Sequence, residues 1–251
     1  MSTWIYSSPI GTDPSLTAWF EVRLWKDGQV EIFPWIENGF LRKTGANEKI
    51  GLATVSIGGV QKFSQNLSVY HHTRTPLVSG NTFSYWLGND NKASFKHDTT
   101  YFQKTKLVPT YSANLASNSS VLINLITSYT PFAQSNFPNG IGSSGYHPSI
   151  GLLPSWDVAY LTSGNDPRSL AAVRVNAYSA GRYGIHYRDE KTNLPFRFSS
   201  FPTLVIDGNS GISSAGVSSI SDSTPATLGK SPPTWSTSHA PSVGYLAYLI
   251  E

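Results

Sequence analysis

The sequence contains no cysteine and a single methionine, and charged side chains make up only 13 % of it. Without cysteine there can be no disulfide, no thiolate nucleophile and no cysteine-ligated zinc, while the cellular compartment stays open. The charges are also dispersed. Eighteen basic residues stand against fifteen acidic ones for a net charge of +3, with no run of one sign. That balance gives little support to nucleic-acid binding and allows only a mild attraction to an anionic polymer. Long apolar runs are missing too: no window approaches the roughly 18 residues a membrane span needs. The opening stretch, Met1 to Ile10, lacks a cationic region followed by an apolar one, so no signal peptide is expected. Synthesis in the cytoplasm or residence in a virion fits that reading.

What is abundant is aromatic residues, at 13 %, together with 21 glycines and 16 prolines. Aromatics argue for a packed core, and glycine and proline for many turns, which together describe a β-rich chain with long ordered loops. At 251 residues it can bury one large domain, or one domain plus a fragment of another. The strongest hairpin is Ala18–Trp25 returning as Val30–Ile36 through Lys26-Asp-Gly-Gln29. Strict alternation puts Phe20, Val22 and Leu24 on one face and Glu21, Arg23 and Trp25 on the other. Pro34 has no N–H to donate and belongs at an edge or a bulge. A second hairpin runs Ala53–Ile57, Gly58-Gly59, Val60–Val69. Further strands are expected over Thr82–Leu87, Thr99–Val108 and Val121–Thr127.

The character changes near residue 150. A connector over 131–150 leads to helices beginning at Pro154 and Pro167, with Asp166 as N-cap and Gly164 and Gly181 as left-handed closing residues. Leu170, Val173 and Ala177 form an apolar stripe. Residues 207–234 form a Ser/Gly/Pro-rich excursion. A third helix starts near Pro241 and leaves Tyr245, Leu246 and Leu249 uncovered, which predicts further C-terminal sequence or another chain packing on 241–251. The expected fold class is mainly β with a C-terminal α portion (α+β). It comprises an antiparallel β-sandwich over 1–130, the connector, and the start of an α/α helical layer over 151–251.

The densest polar group is His186-Tyr187-Arg188-Asp189. A polysaccharide lyase needs such a set: a cation against the carboxylate or enolate, and a Tyr or His to move the proton. The competing reading is a loop tied by an Arg188–Asp189 pair. Trp156 and Asp157 in the first helix, with Tyr146, His147, Trp86 and His239, are candidate sugar contacts, because aromatic faces stack on the apolar side of a pyranose. Core filling competes for each tryptophan. His71 and His72 are adjacent and point to opposite faces of an extended chain, so both cannot readily ligate one metal. No metal site and no cofactor are expected. There is no nucleophile elbow, phosphate loop, dinucleotide fingerprint or metalloprotease motif, and the carboxylates are too dispersed to nominate a glycosidase pair.

Trp19-Phe-Glu-Val-Arg-Leu-Trp-Lys-Asp-Gly-Gln-Val-Glu-Ile-Phe-Pro-Trp-Ile-Glu-Asn38 resembles the opening sandwich strands of exo-rhamnogalacturonan-lyase-like proteins. Ile150–Gly164 and Gly184-Ile-His-Tyr-Arg-Asp189 resemble the start of the helical toroid that follows there, and Pro241–Leu249 is similar to the next toroid helix. Related reading frames occur in phage and prophage settings. The resemblance implies a sugar-polymer ligand and, if the protein cleaves, β-elimination of an acidic polysaccharide. Its alternative is a non-catalytic phage virion or surface interaction protein.

Overall fold

A computed structural model of the chain describes residues 1–40, 48–90, 96–112, 114–137, 151–195, 197, 199, 206–207, 212–213 and 242–251. The chain is mainly antiparallel sheet with some helix, and it divides into two compact units. One comprises Met1–Val78, Thr82–Asp90 and Gly181–Trp235; the other comprises Ser79–Asn81, Asn91–Ala180 and Ser236–Glu251.

The first unit is built on a sheet of β1 (Ser2–Ile10), β2 (Asp13–Leu24), β3 (Val30–Asn38), β6 (Thr73–Pro76) and β7 (Tyr85–Leu87). The order is β1-β2-β3, with β6 and β7 both pairing to the far side of β3. The β2–β3 hairpin turns where Gly28 adopts φ 85°, a conformation open to glycine at little cost. Its register pairs Trp19 with Trp35, Glu21 with Phe33 and Arg23 with Glu31 on one face. Phe20, Val22 and Leu24 alternate onto the other. Pro34 lies inside β3, yet it needs no ladder donor. β6 pairs with residues 35–38 and β7 with residues 30–32, so Pro34 falls in the gap, and its carbonyl accepts from the Leu77 N–H at 2.9 Å. A second sheet is the hairpin β4 (Lys49–Ile57) and β5 (Val60–Val69), closed by Gly58 and Gly59 at φ 58° and 78°. Its inward residues Val55, Phe63, Leu67 and Val69 are buried. With Phe20, Ile36 and Leu77 some of them line a cleft of about 650 Å³. A short ribbon pairs β8 (Ile206–Asp207) with β9 (Ile212–Ser213).

The second unit is helical where it is regular. The strands expected over Thr99–Val108 and Val121–Thr127 are instead turns of helix, α1 (Thr99–Lys104) and α2 (Ser120–Ile123). The reason is capping. Asp98 accepts from the Tyr101 N–H at 2.9 Å, and Ser119 accepts from Leu122 at 3.4 Å; these local bonds outweigh the strand preference of Thr, Tyr and Val. Helices α3 (Ser155–Thr162) and α4 (Pro167–Ser179) form as expected, with Asp166 accepting from the Arg168 N–H at 2.9 Å and Pro167 in the first turn. Gly181 does not close α4 in the left-handed region. It sits in a 3-10 turn, Ala180–Arg182, where a Cβ would come within 2.3 Å of the Arg74 carbonyl oxygen. Close backbone approach, not positive φ, fixes glycine there.

The short helix α5 (Tyr245–Ile250) finds part of the cover it needs within the chain. Leu246 is fully buried in a core with Val108, Leu153, Tyr160, Leu161 and Val173, and Leu249 packs against it. Tyr245 donates to the Leu107 carbonyl at 3.0 Å. The chain's own core covers Leu246 and part of Leu249, while Tyr245 and Tyr248 stay 37 and 82 % exposed. No helix among the described residues is long and apolar enough to cross a membrane.

Candidate functional site

The polar face of the sheet gathers the group of interest. Glu37, at the end of β3, is 2 % exposed. A carboxylate so buried requires a hydrogen-bonded cation, and Arg188 supplies it. Its Nε and Nη2 donate to the two Glu37 oxygens, the second at 3.0 Å, and Nη1 donates to the Asn193 carbonyl at 2.7 Å. The guanidinium carbon also lies 4.4 Å from the Trp19 ring centroid. Residues 186–195 are held to the sheet by backbone bonds. His186 N–H donates to the His72 carbonyl at 2.9 Å and Arg188 N–H to the Gly39 carbonyl at 2.8 Å.

Arg74 is different. It projects from β6 on the same face, opposite Glu37 in the register. Its guanidinium lies over Trp19 and Trp35, 5.1 and 5.3 Å from their centroids. Glu37 Oε2 is 3.8 Å away and already committed to Arg188. Among the described residues Arg74 makes no side-chain hydrogen bond. Its donors, 29 % exposed as a side chain, are therefore open to an acceptor from outside. Burial lowers its pKa, Glu37 opposes that, and Arg188 adds to it. Beneath it, Trp19 Nε1 is a buried donor with no acceptor among the described residues. Glu37, Arg188 and Arg74 together carry one excess positive charge.

Two histidines complete the group and stay neutral near pH 7. Burial pushes His186 down to about 4; Glu37 pulls it up, while Arg74, Arg188 and His72 push it further down. Burial likewise takes His72 down to about 3. The His71 and His72 rings stack at 3.6 Å, contrary to the expectation of opposite faces. His72 adopts φ 61°, so the chain is not extended there and the alternation is lost. Tyr187 stacks on His72 at 4.3 Å, and its hydroxyl donates to the Gly184 carbonyl at 3.1 Å.

The structure thus brings His186, Tyr187 and Arg188 together and separates their tasks. Arg188 does not pair with Asp189, which closes its own loop by accepting from Thr192 Oγ1 at 2.9 Å and the Lys191 N–H at 3.3 Å. Trp86 belongs to the same sheet and stacks on Trp25 at 6.1 Å. Trp156 and Asp157 belong to the other unit. Trp156 is 1 % exposed and meets the Phe137 ring edge-on at 5.0 Å, so it fills core. Asp157 is equally buried, its Oδ2 has no partner among the described residues, and burial pushes its pKa up to about 8. Tyr146, His147 and His239 lie outside the described residues. Sequence reasoning missed Glu37, Arg74 and Trp19. The available signal was the alternation itself, which puts Trp19, Trp35 and Glu37 on one face.

Comparison with protein-family models, with characterised proteins and with solved structures yields no match.

Proposed function

We propose that this chain binds an acidic polysaccharide at Arg74, over the Trp19–Trp35 floor, and that His186 serves as the base for β-elimination. The observation that carries this reading is the state of Arg74: a half-buried cation with open donors beside a neutral imidazole. A uronate carboxylate placed on those donors becomes a better electron sink, which acidifies the neighbouring C–H. His186 takes that proton, the C–H electrons form the new double bond, and the glycosidic C–O bond breaks, its oxygen leaving with a proton from water. Burial first, and then the cations Arg74 and Arg188, depress the basicity of His186; a bound carboxylate offsets the cationic part. Arg188 positions Glu37 and the loop and is not free to hold substrate.

The test is incubation with a panel of acidic polysaccharides, reading ultraviolet absorbance of an unsaturated product and binding by calorimetry. Product formation that vanishes in His186→Ala, with binding lost in Arg74→Met, supports the reading. A folded sample with neither binding nor product across the panel removes it. For the architecture, we infer a β-sandwich leading into the first helices of an α/α toroid, in line with the resemblance of Trp19–Asn38 and Ile150–Gly164.

A second reading has an observation of its own. β1 ends the sheet, carries no charged residue over Ser2–Ile10, and leaves Trp4, Ile5 and Tyr6 at 44, 67 and 57 % exposure. Such an edge is a template for another strand, as a virion or surface assembly protein would use. A stable oligomer in light scattering with no glycan affinity favours that reading.

A further inference from the structure

We infer a second sugar-contact subsite at the Trp25–Trp86 pair, on the same lane of the sheet as Arg74, so that the glycan lies along β3. This rests on the reading of Arg74 above. Both β6 and β7 pair with the same side of β3: Arg74 opposite Glu37, and Trp86 opposite Glu31. Glu31 and Glu37 are an even number of residues apart, so Arg74 and Trp86 emerge on one face. At about 3.3 Å per residue the two rows are about 20 Å apart, the length of about four sugar residues.

Trp25 follows directly on β2, whose Trp19, Glu21 and Arg23 alternate onto that face. Its ring stacks on Trp86 with centroids 6.1 Å apart and planes 28° from parallel. Trp25 is 36 % exposed, and its hairpin turn is fixed by the Gly28 N–H donating to the Trp25 carbonyl at 3.0 Å. Beside it, Gln29 Oε1 accepts from the Asn89 N–H at 2.8 Å, which leaves the Gln29 amide N–H groups as donors. An exposed tryptophan ring stacked on a half-buried one, with an amide at its edge, suits the C–H face and hydroxyls of a pyranose. Between the two ends run Phe33 under Arg23, at 4.3 Å, and the carboxylates of Glu21 and Glu31, both held by Arg23. Carboxylates accept from hydroxyls, which sugars offer and phosphates at neutral pH largely do not.

The experiment measures calorimetric affinity of the whole chain for alginate, pectate and hyaluronate fragments, short (two residues) and long (six residues). It compares wild type with Trp25→Ala, Trp86→Ala and the milder Trp86→Phe, each confirmed folded by circular dichroism. The long fragment of the preferred polymer binds wild type about ten-fold more tightly than the short one. The alanine variants bring the long fragment down to the affinity of the short one, leave the short one unchanged, and Trp86→Phe falls between. Unchanged long-fragment affinity in the alanine variants, with Arg74→Met still abolishing binding, overturns the subsite and leaves the Arg74 reading standing. A changed oligomeric state without a change in glycan affinity overturns it in favour of a protein contact. No binding of any fragment by wild type removes the Arg74 reading and this inference with it.

Discussion

Replacing Asp157 by Asn tests whether a single buried carboxyl sets the pH response of its unit. Asp157 is 1 % exposed, and burial raises its pKa from 3.8 to about 8. Between those values the folded chain holds a proton that the unfolded chain has released. Stability therefore falls as pH rises, by about 1.4 kcal/mol per pH unit. From pH 5 to pH 7 the loss is about 2.7 kcal/mol, and asparagine, which does not titrate, is spared it. His186 and His72 act the other way. Folded, they stay neutral down to about 4 and about 3, so unfolding takes up protons below pH 6.5 and stability rises with pH up to that point. Both histidines are present in wild type and variant alike, so they cancel in the difference. At about 2–4 °C per kcal/mol for a chain of this size, the Tm of Asp157→Asn relative to wild type should rise by about 5–10 °C between pH 5 and pH 7. Scanning calorimetry at the two pH values reads this directly. An unchanged Tm difference would refute the claim that Asp157 is protonated in the folded state.

Glu37→Gln should strand Arg188 in a buried site and cost about 3–5 kcal/mol, measured by urea unfolding; a loss under 1 kcal/mol contradicts the buried pair. Gly181→Ala should destabilise by about 1–3 kcal/mol because its Cβ would strike the Arg74 carbonyl at 2.3 Å; a neutral effect shows that the 3-10 turn yields easily. Ile5→Lys places a charge on the exposed strand β1 and should abolish any concentration-dependent oligomer in light scattering while leaving glycan binding intact. An oligomer that survives it is not built on that edge.

The β2–β3 hairpin was legible because alternation and a glycine turn coincide there: every pairing from Leu24–Val30 to Thr17–Glu37 follows from one register. α4 was legible for the same reason, since Asp166 and Pro167 act within a single turn. α1 and α2 were not, because one capping bond each, at Asp98 and Ser119, reverses what composition favours. The candidate site was half legible. His186, Tyr187 and Arg188 are consecutive and draw notice. Glu37 lies 151 positions from Arg188, and only the fold shows that Arg188 is consumed by that pair while Arg74 is left open. The fate of His71 and His72 turned on one positive φ, which a histidine does not announce. Core burial of α5 was hidden because its partners Val108, Leu153 and Val173 are scattered along the chain.

The most direct test is calorimetric titration of acidic polysaccharides into wild type and Arg74→Met, with Arg168→Met as a control whose guanidinium is already paired with Asp166 in the other unit. Saturable binding that is lost in Arg74→Met and kept in Arg168→Met is the predicted result. Equal affinity in wild type and Arg74→Met contradicts the account at its root.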